Sequence, residues 1–391
     1  MSYNFDERLD RRNSNGYKWQ VGDDELPMWV ADMDFRVAPE IIQTLEKRIA
    51  QDAFGYNIVS EDFQASIVDW WQKRHQFKMK QDWILFCTGV VPAISSIVRK
   101  MTRPNENIVI LTPVYNIFFN SIINNERRVL PSEMNYQNNR YEVNFVDLEE
   151  KLARAETTML IFCNPHNPIG KVWDLETLIL IGEMCIKYGV LLLSDEIHCD
   201  LTHDLTTYIP FASVSEKIAQ NTITCISATK AFNLAGIQTS AIIVPDPELR
   251  KRVERGINTD EVAEPNSFAI QATVSAFSNG EGWLEELNLY LKNNRNFLEN
   301  FIQKDLSEIV VVHSEATYLA WLDCSSITNN TKVLCQFIRE KTGLYLSEGD
   351  LFGGNGHQFV RLNYACPLSL LKDGLQRLKK GIHMYAEAKG D

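Results

Sequence analysis

The sequence predicts an α/β fold: a large domain with a mostly parallel sheet flanked by helices, joined to a smaller α+β domain. Between about residues 83 and 245, short apolar runs alternate with longer amphipathic ones, the pattern of strands alternating with helices. Beyond about Pro265 the pattern turns helical, then resolves into a shorter strand–helix–strand–helix series. Several of the apolar runs also end on reactive or hydrogen-bonding residues, and sheets of this kind bind ligands outside the carboxyl ends of their strands.

Taken in order, the candidate strands are 83–87, 107–111, 159–163, 190–194, 222–227 and 240–244. Among the helices, 175–188 carries apolar residues at 175, 178, 179, 181 and 186, close to one helical face. The smaller unit reads as strand 318–322, helix 332–340, strand 358–362 and a final helix over 368–386. The expected division is an N-terminal arm (1–45) packed on the small domain, a large domain (46–285) and a small C-terminal domain (286–391). The long helical stretch after Pro265 would straddle the boundary near 285.

Composition narrows the function. The chain has 391 residues, of which 45% are hydrophobic, enough for a sizeable core. Its 39 basic and 51 acidic side chains leave a net charge of −12, without the positive footprint of a nucleic-acid binder. No stretch of about 18 uncharged apolar residues appears, so no membrane partner is expected. The start, Met-Ser-Tyr-Asn-Phe-Asp-Glu-Arg, is no secretory signal. The eight cysteines form no CxxC pair and mostly sit in apolar runs, which suits buried reduced thiols and a cytoplasmic location.

Four motifs carry the chemistry. Cys163-Asn164-Pro165-His166-Asn167-Pro168-Ile169-Gly170 follows one strand, and Leu193-Ser194-Asp195-Glu196-Ile197-His198 ends another. Ser227-Ala228-Thr229-Lys230 follows a third, and Phe359-Val360-Arg361-Leu362-Asn363-Tyr364 forms a fourth. Each has an ordinary structural reading. Lys230 could be a surface charge, although its place after a strand and small hydroxyl residues suits a lysine that bonds a carbonyl cofactor. Asp195 could cap a helix, Asn167 could open a turn, and Tyr115 could be core. Gly89-Val90-Val91-Pro92 could be a plain strand-to-helix turn or a phosphate-binding helix start. Arg361, in an apolar strand, needs a partner and could sit in a buried salt bridge. Gly353-Gly354-Asn355-Gly356 precedes a strand rather than a helix and reads as a turn.

Together these motifs resemble pyridoxal-phosphate (PLP) enzymes of the aspartate-aminotransferase fold, fold type I. Within that fold the sequence is similar to the MalY/PatB group of cystathionine β-lyases. The resemblance spans nearly the whole chain. It includes Pro27-Met28-Trp29-Val30-Ala31-Asp32-Met33-Asp34-Phe35, Phe54-Gly55-Tyr56 and Thr88-Gly89-Val90-Val91-Pro92-Ala93.

The resemblance implies a role for each position. Lys230 is the lysine that carries PLP and removes the substrate Cα proton. Asp195 faces the pyridine nitrogen, Asn167 donates to the phenolic oxygen, and Tyr115 stacks on the ring. Gly89, Val90, Val91 and Ser227 hold the phosphate. Arg361 clamps the substrate carboxylate, and Tyr56 reaches the active site of the neighbouring subunit in a homodimer. His198 stands where aminotransferases of this fold usually carry Tyr, and Gln238 where aspartate aminotransferases place an Arg. The implied activity is α,β-elimination of cystathionine or cysteine to homocysteine or hydrogen sulfide, pyruvate and ammonia.

An aminotransferase of the same fold is the first alternative, since both reactions share every step up to Cα deprotonation. A PLP-binding regulatory protein is the second, although the motifs begin near residue 27 and leave no room ahead of them for a DNA-binding domain. A zinc site built from Cys163, His166, His198, Cys199 and His203 lacks any HExxH or CxxC spacing, so no metal is expected.

Overall fold

The computed structural model describes residues 2–203 and 206–390. Seven strands form the central sheet: β1 (Ile84–Cys87), β2 (Asn107–Thr112), β3 (Arg128–Glu133), β4 (Thr157–Cys163), β5 (Leu191–Asp195), β6 (Thr222–Ile226) and β7 (Ser240–Ile243). Their spatial order is β1-β7-β6-β5-β4-β2-β3. All neighbours are parallel except β7, which runs antiparallel to both β1 and β6.

Six of the seven strands fall within a residue or two of their sequence-read positions. Their apolar runs are continuous because helices cover both faces of such a sheet. Trp83 closes a short turn, Gln81–Trp83, instead of opening β1. The edge strand β3 is the one the sequence reading lacked. It is half exposed and carries Pro131 in its middle, which a strand tolerates at a sheet edge.

The helix Leu175–Tyr188 lies where the apolar spacing puts it. Asp174 caps its start by accepting from the Thr177 N–H, and Gly189 ends it at φ 67°, a left-handed position that favours glycine. The helices Ala269–Asn279 and Glu281–Asp305 account for the helical stretch after Pro265, and the second runs across residues 285–286.

In the C-terminal part, Val310–Val311, Leu319–Asp323, Phe359–Asn363 and Ser347–Glu348 form an antiparallel sheet. The helices Thr331–Thr342 and Leu368–Gly390 accompany it. Leu26–Pro27 of the N-terminal arm pairs in parallel with Leu344–Tyr345. The arm is pinned by a buried charge cluster: Asp34 accepts from Lys18 Nζ at 2.7 Å, from Arg11 at 2.7 Å and from the Trp19 indole at 2.7 Å.

All eight cysteines are buried and unpaired. Among the described residues, no helix is long and apolar enough to cross a membrane.

Candidate active site

The carboxyl ends of β1, β2, β4, β5 and β6 open onto one cavity of about 250 Å³. Gly89, Val90, Val91, Tyr115, Asn167, Asp195, His198 and Lys230 all line it. Strand register explains part of this convergence, because Cys163 pairs with Asp195 and Asp195 with Cys225, so the residues just past these strands emerge side by side.

Lys230 enters from the turn after β6. Its Nζ donates to the Ala31 carbonyl at 2.6 Å. Loss of hydration pushes its pKa down to about 8; Asp32 and Asp195 pull it up, and Arg361 pushes it down. Asp195 ends β5 with a fully buried carboxyl that accepts from the Ile197 N–H at 3.1 Å. Burial raises it to about 7, against the pull of that N–H and of Lys230. A cation placed in the cavity would restore the charged form.

His198 is held neutral. Burial pushes it down to about 3, and the charges of Lys230 and Arg361 act in the same direction. Its Nδ1 has no hydrogen-bond partner among the described residues. Its ring meets Tyr318 edge-on, with centroids 6.3 Å apart. Burial also raises the Tyr115 phenol, which therefore stays protonated.

Arg361 sits in the strand Phe359–Asn363, behind Asn167. Its Nη1 donates to Asn167 Oδ1 at 3.1 Å and its Nη2 to the Trp29 carbonyl at 2.9 Å, while Nε has no partner. The guanidinium lies over the Phe352 ring at 4.8 Å. Among the described residues no carboxylate pairs with it, so the buried salt bridge considered from the sequence is not what holds it. A buried guanidinium with no counter-charge suits a carboxylate ligand.

The helix Val90–Met101 begins at the cavity, and its first turn has no side-chain cap. Free N–H groups at such a start suit an anion. Thr88, Thr229 and Gln238 line the same region. Ser227 does not line it: its hydroxyl donates to the Thr239 carbonyl at 2.6 Å and lies 2.8 Å from Thr229 Oγ1. Tyr56 does not reach the cavity of its own chain and is fully exposed, at 102%.

Sequence reasoning missed Ala31 and Thr229, which line the cavity, and Tyr318, which does not line it but packs against His198. Tyr318 also donates to the Ala31 carbonyl, at 3.2 Å. The paper zinc set does not assemble. Among the described residues the one close cluster of metal-ligating types is His75, Cys199 and Asp200, and the Asp200 carboxylate is already engaged by Trp70, Arg74 and His75.

The site thus combines a part-buried lysine with a buried carboxylate and a buried asparagine at or beyond the strand ends. The family profile "Aminotransferase class I and II" matches residues 28–378, and the chain belongs to that family, in its MalY/PatB-type branch. It is 37% identical over 385 residues to cystathionine β-lyase PatB of Bacillus subtilis, covering 97% of this chain and 100% of that one. It is 29% identical over 388 residues to the protein MalY of Escherichia coli, covering 97% and 99% of the two. Among solved structures it resembles cystalysin of Treponema denticola, which contains a pyridoxal 5'-phosphate cofactor; the TM-score is 0.95 at 32% identity, covering 98% of this chain and all of that one.

Proposed function

We propose that the protein is a PLP-dependent carbon–sulfur β-lyase. It acts on cystathionine, cysteine or both, and releases homocysteine or hydrogen sulfide with pyruvate and ammonia. The observation that carries an α-amino-acid substrate is Arg361, a buried guanidinium without a carboxylate partner, one side chain away from the cavity that holds Lys230 and Asp195. That pairing fits an α-amino acid whose carboxylate must be fixed while its Cα proton is removed. The 37% identity to cystathionine β-lyase PatB supports carbon–sulfur cleavage.

The residues present fit PLP. Lys230 is a lysine of lowered basicity able to bond an aldehyde. The uncapped start of the helix Val90–Met101, with Thr88 and Thr229, suits a phosphate. Asp195 suits a protonated ring nitrogen, Asn167 a ring oxygen and Tyr115 a ring face. Bound there, PLP supplies an electron sink that acidifies the Cα–H bond of an amino acid.

The chain's own residues do the rest. Arg361 orients the substrate through its carboxylate. Lys230 Nζ takes the Cα proton as general base. Asp195 holds the proton on the ring nitrogen. His198, neutral and buried, adds no competing charge beside the reacting atoms. In the overall reaction the Cβ–S bond breaks, the thiol departs, and water converts the remaining three-carbon fragment to pyruvate and ammonia.

We also propose that the active unit is a homodimer, with Tyr56 contributed by the second copy. The exposed apolar segment with Phe54, Tyr56 and Ile58 supports this, since Tyr56 serves no contact in its own cavity.

Sulfide release from cysteine tests the activity. Purified protein with PLP is expected to release sulfide, and Lys230→Ala to release none above background. Equal release from both would remove Lys230 from the mechanism, and no release from either, with cystathionine also inert, would end the lyase reading.

A further inference from the structure

Two loops deliver Tyr115 and Asn167 to the cavity, one after β2 and one after β4. The His166 side chain joins them. His166 Nε2 lies 2.9 Å from the carbonyl oxygen of Pro113. A carbonyl only accepts, so Nε2 carries the proton and donates it. His166 directly precedes Asn167, and Pro113 stands two residues before Tyr115.

The imidazole is held by packing and by this one hydrogen bond, while its Nδ1 has no partner among the described residues. It is 1% exposed and meets the Trp173 ring edge-on, at 5.7 Å between centroids and 87° between planes. Trp173 is itself anchored, its indole N–H donating to the Cys163 carbonyl at 2.9 Å. The His166 backbone donates to Lys171 O at 2.8 Å and accepts from Gly170 N–H at 2.7 Å. Burial pushes the ring down to about 4, so it is neutral through the working range of pH. A neutral ring with one donated bond is a strut that places no charge in the interior.

We propose that His166 is a positioning residue that sets the separation of Tyr115 from Asn167, the gap that receives the flat face and edge of the cofactor ring. It does not line the cavity. It acts on Tyr115 through Pro113 and on Asn167 through the chain. Because Arg361 Nη1 donates to Asn167 Oδ1, displacement of Asn167 also loosens the group that takes the substrate carboxylate. The inference rests on the reading that this cavity takes PLP.

The test compares His166→Leu with His166→Gln. Leucine keeps a similar bulk and leaves the Pro113 carbonyl unpaired, whereas glutamine returns an amide N–H near the place of Nε2. The readouts are the rate of PLP release and the circular dichroism induced in the bound cofactor, with far-ultraviolet dichroism to verify folding.

H166L is expected to release PLP about tenfold faster, the effect of one buried acceptor left unmade. Its induced band should weaken and its substrate KM rise, while H166Q stays near wild type on all three. If H166L does not fold, H166N is read in its place, since its shorter amide falls short of Pro113. Unchanged release and dichroism in the variant lacking the bond would overturn the proposal, as would failure of H166Q to restore them. Wild-type protein that binds no PLP would instead overturn the cofactor reading itself.

Discussion

Lys230 Nζ donates to the main-chain oxygen of Ala31 at 2.6 Å, so the reactive amine of the large sheet is held by the N-terminal arm. Neighbouring carbonyls of the arm do similar work: Trp29 O accepts from Arg361, and Val30 O and Asp32 O accept from Asn363 Nδ2 at 2.6 and 2.8 Å. The arm is therefore part of the wall of the site.

This environment sets the pH dependence of cofactor capture. Burial lowers Lys230 to about 8, so its neutral, nucleophilic form dominates above that pH and is lost below it. The second-order rate of PLP capture by the apo protein should rise with pH through about 8 and then level off. Stopped-flow absorbance measures it. A rise centred near the ordinary lysine value of about 10.4 would show that the amine is not perturbed.

Asp195 should matter to turnover far more than to binding. Asp195→Ala retains Lys230, the phosphate-binding helix start and Arg361, so it should still take up PLP. Turnover should fall by about a hundredfold or more, the scale of losing one preorganised electrostatic partner. Steady-state kinetics beside a cofactor titration checks this. Near-normal kcat would mean that another group serves the ring nitrogen.

The charge cluster of the arm should be a stability element. Asp34→Ala leaves Lys18, 1% exposed, without its carboxylate partner. Breaking a buried pair in this way costs about 3–5 kcal/mol, to be read from urea unfolding monitored by tryptophan fluorescence. A loss below about 1 kcal/mol would place the pair among weak surface ion pairs.

Composite active sites should reveal themselves by complementation. Tyr56→Ala and Lys230→Ala chains, each nearly inactive alone, are co-expressed. With random pairing, half the dimers are mixed and each has one intact site, so about a quarter of wild-type activity should return under two-fold symmetry. No recovery would mean that Tyr56 serves its own chain, and a fully active Tyr56→Ala homodimer would mean that it serves none.

The central sheet was legible almost residue by residue because its strands are buried on both faces and read as unbroken apolar runs. Asp195, Asn167 and Lys230 stood out because each is a polar group directly past such a run. What escaped notice has physical reasons. The strand Arg128–Glu133 is an exposed edge broken by Pro131 and shows no apolar run. The Ala31 carbonyl is a backbone acceptor and has no side-chain signature at all. Tyr318 is hidden in an apolar stretch that predicts only core. Ser227 and Thr229 offer the same hydroxyl two residues apart, and only the path of the turn after β6 decides that Thr229 lines the cavity while Ser227 bonds the Thr239 carbonyl.

The most direct measurement is product stoichiometry with cystathionine in the absence of any keto acid. Elimination predicts pyruvate and ammonia in equal amounts, each matching the homocysteine released, with unchanged rates when a keto acid is added. Turnover that begins only on adding a keto acid, with no free ammonia, would contradict the account and identify an aminotransferase.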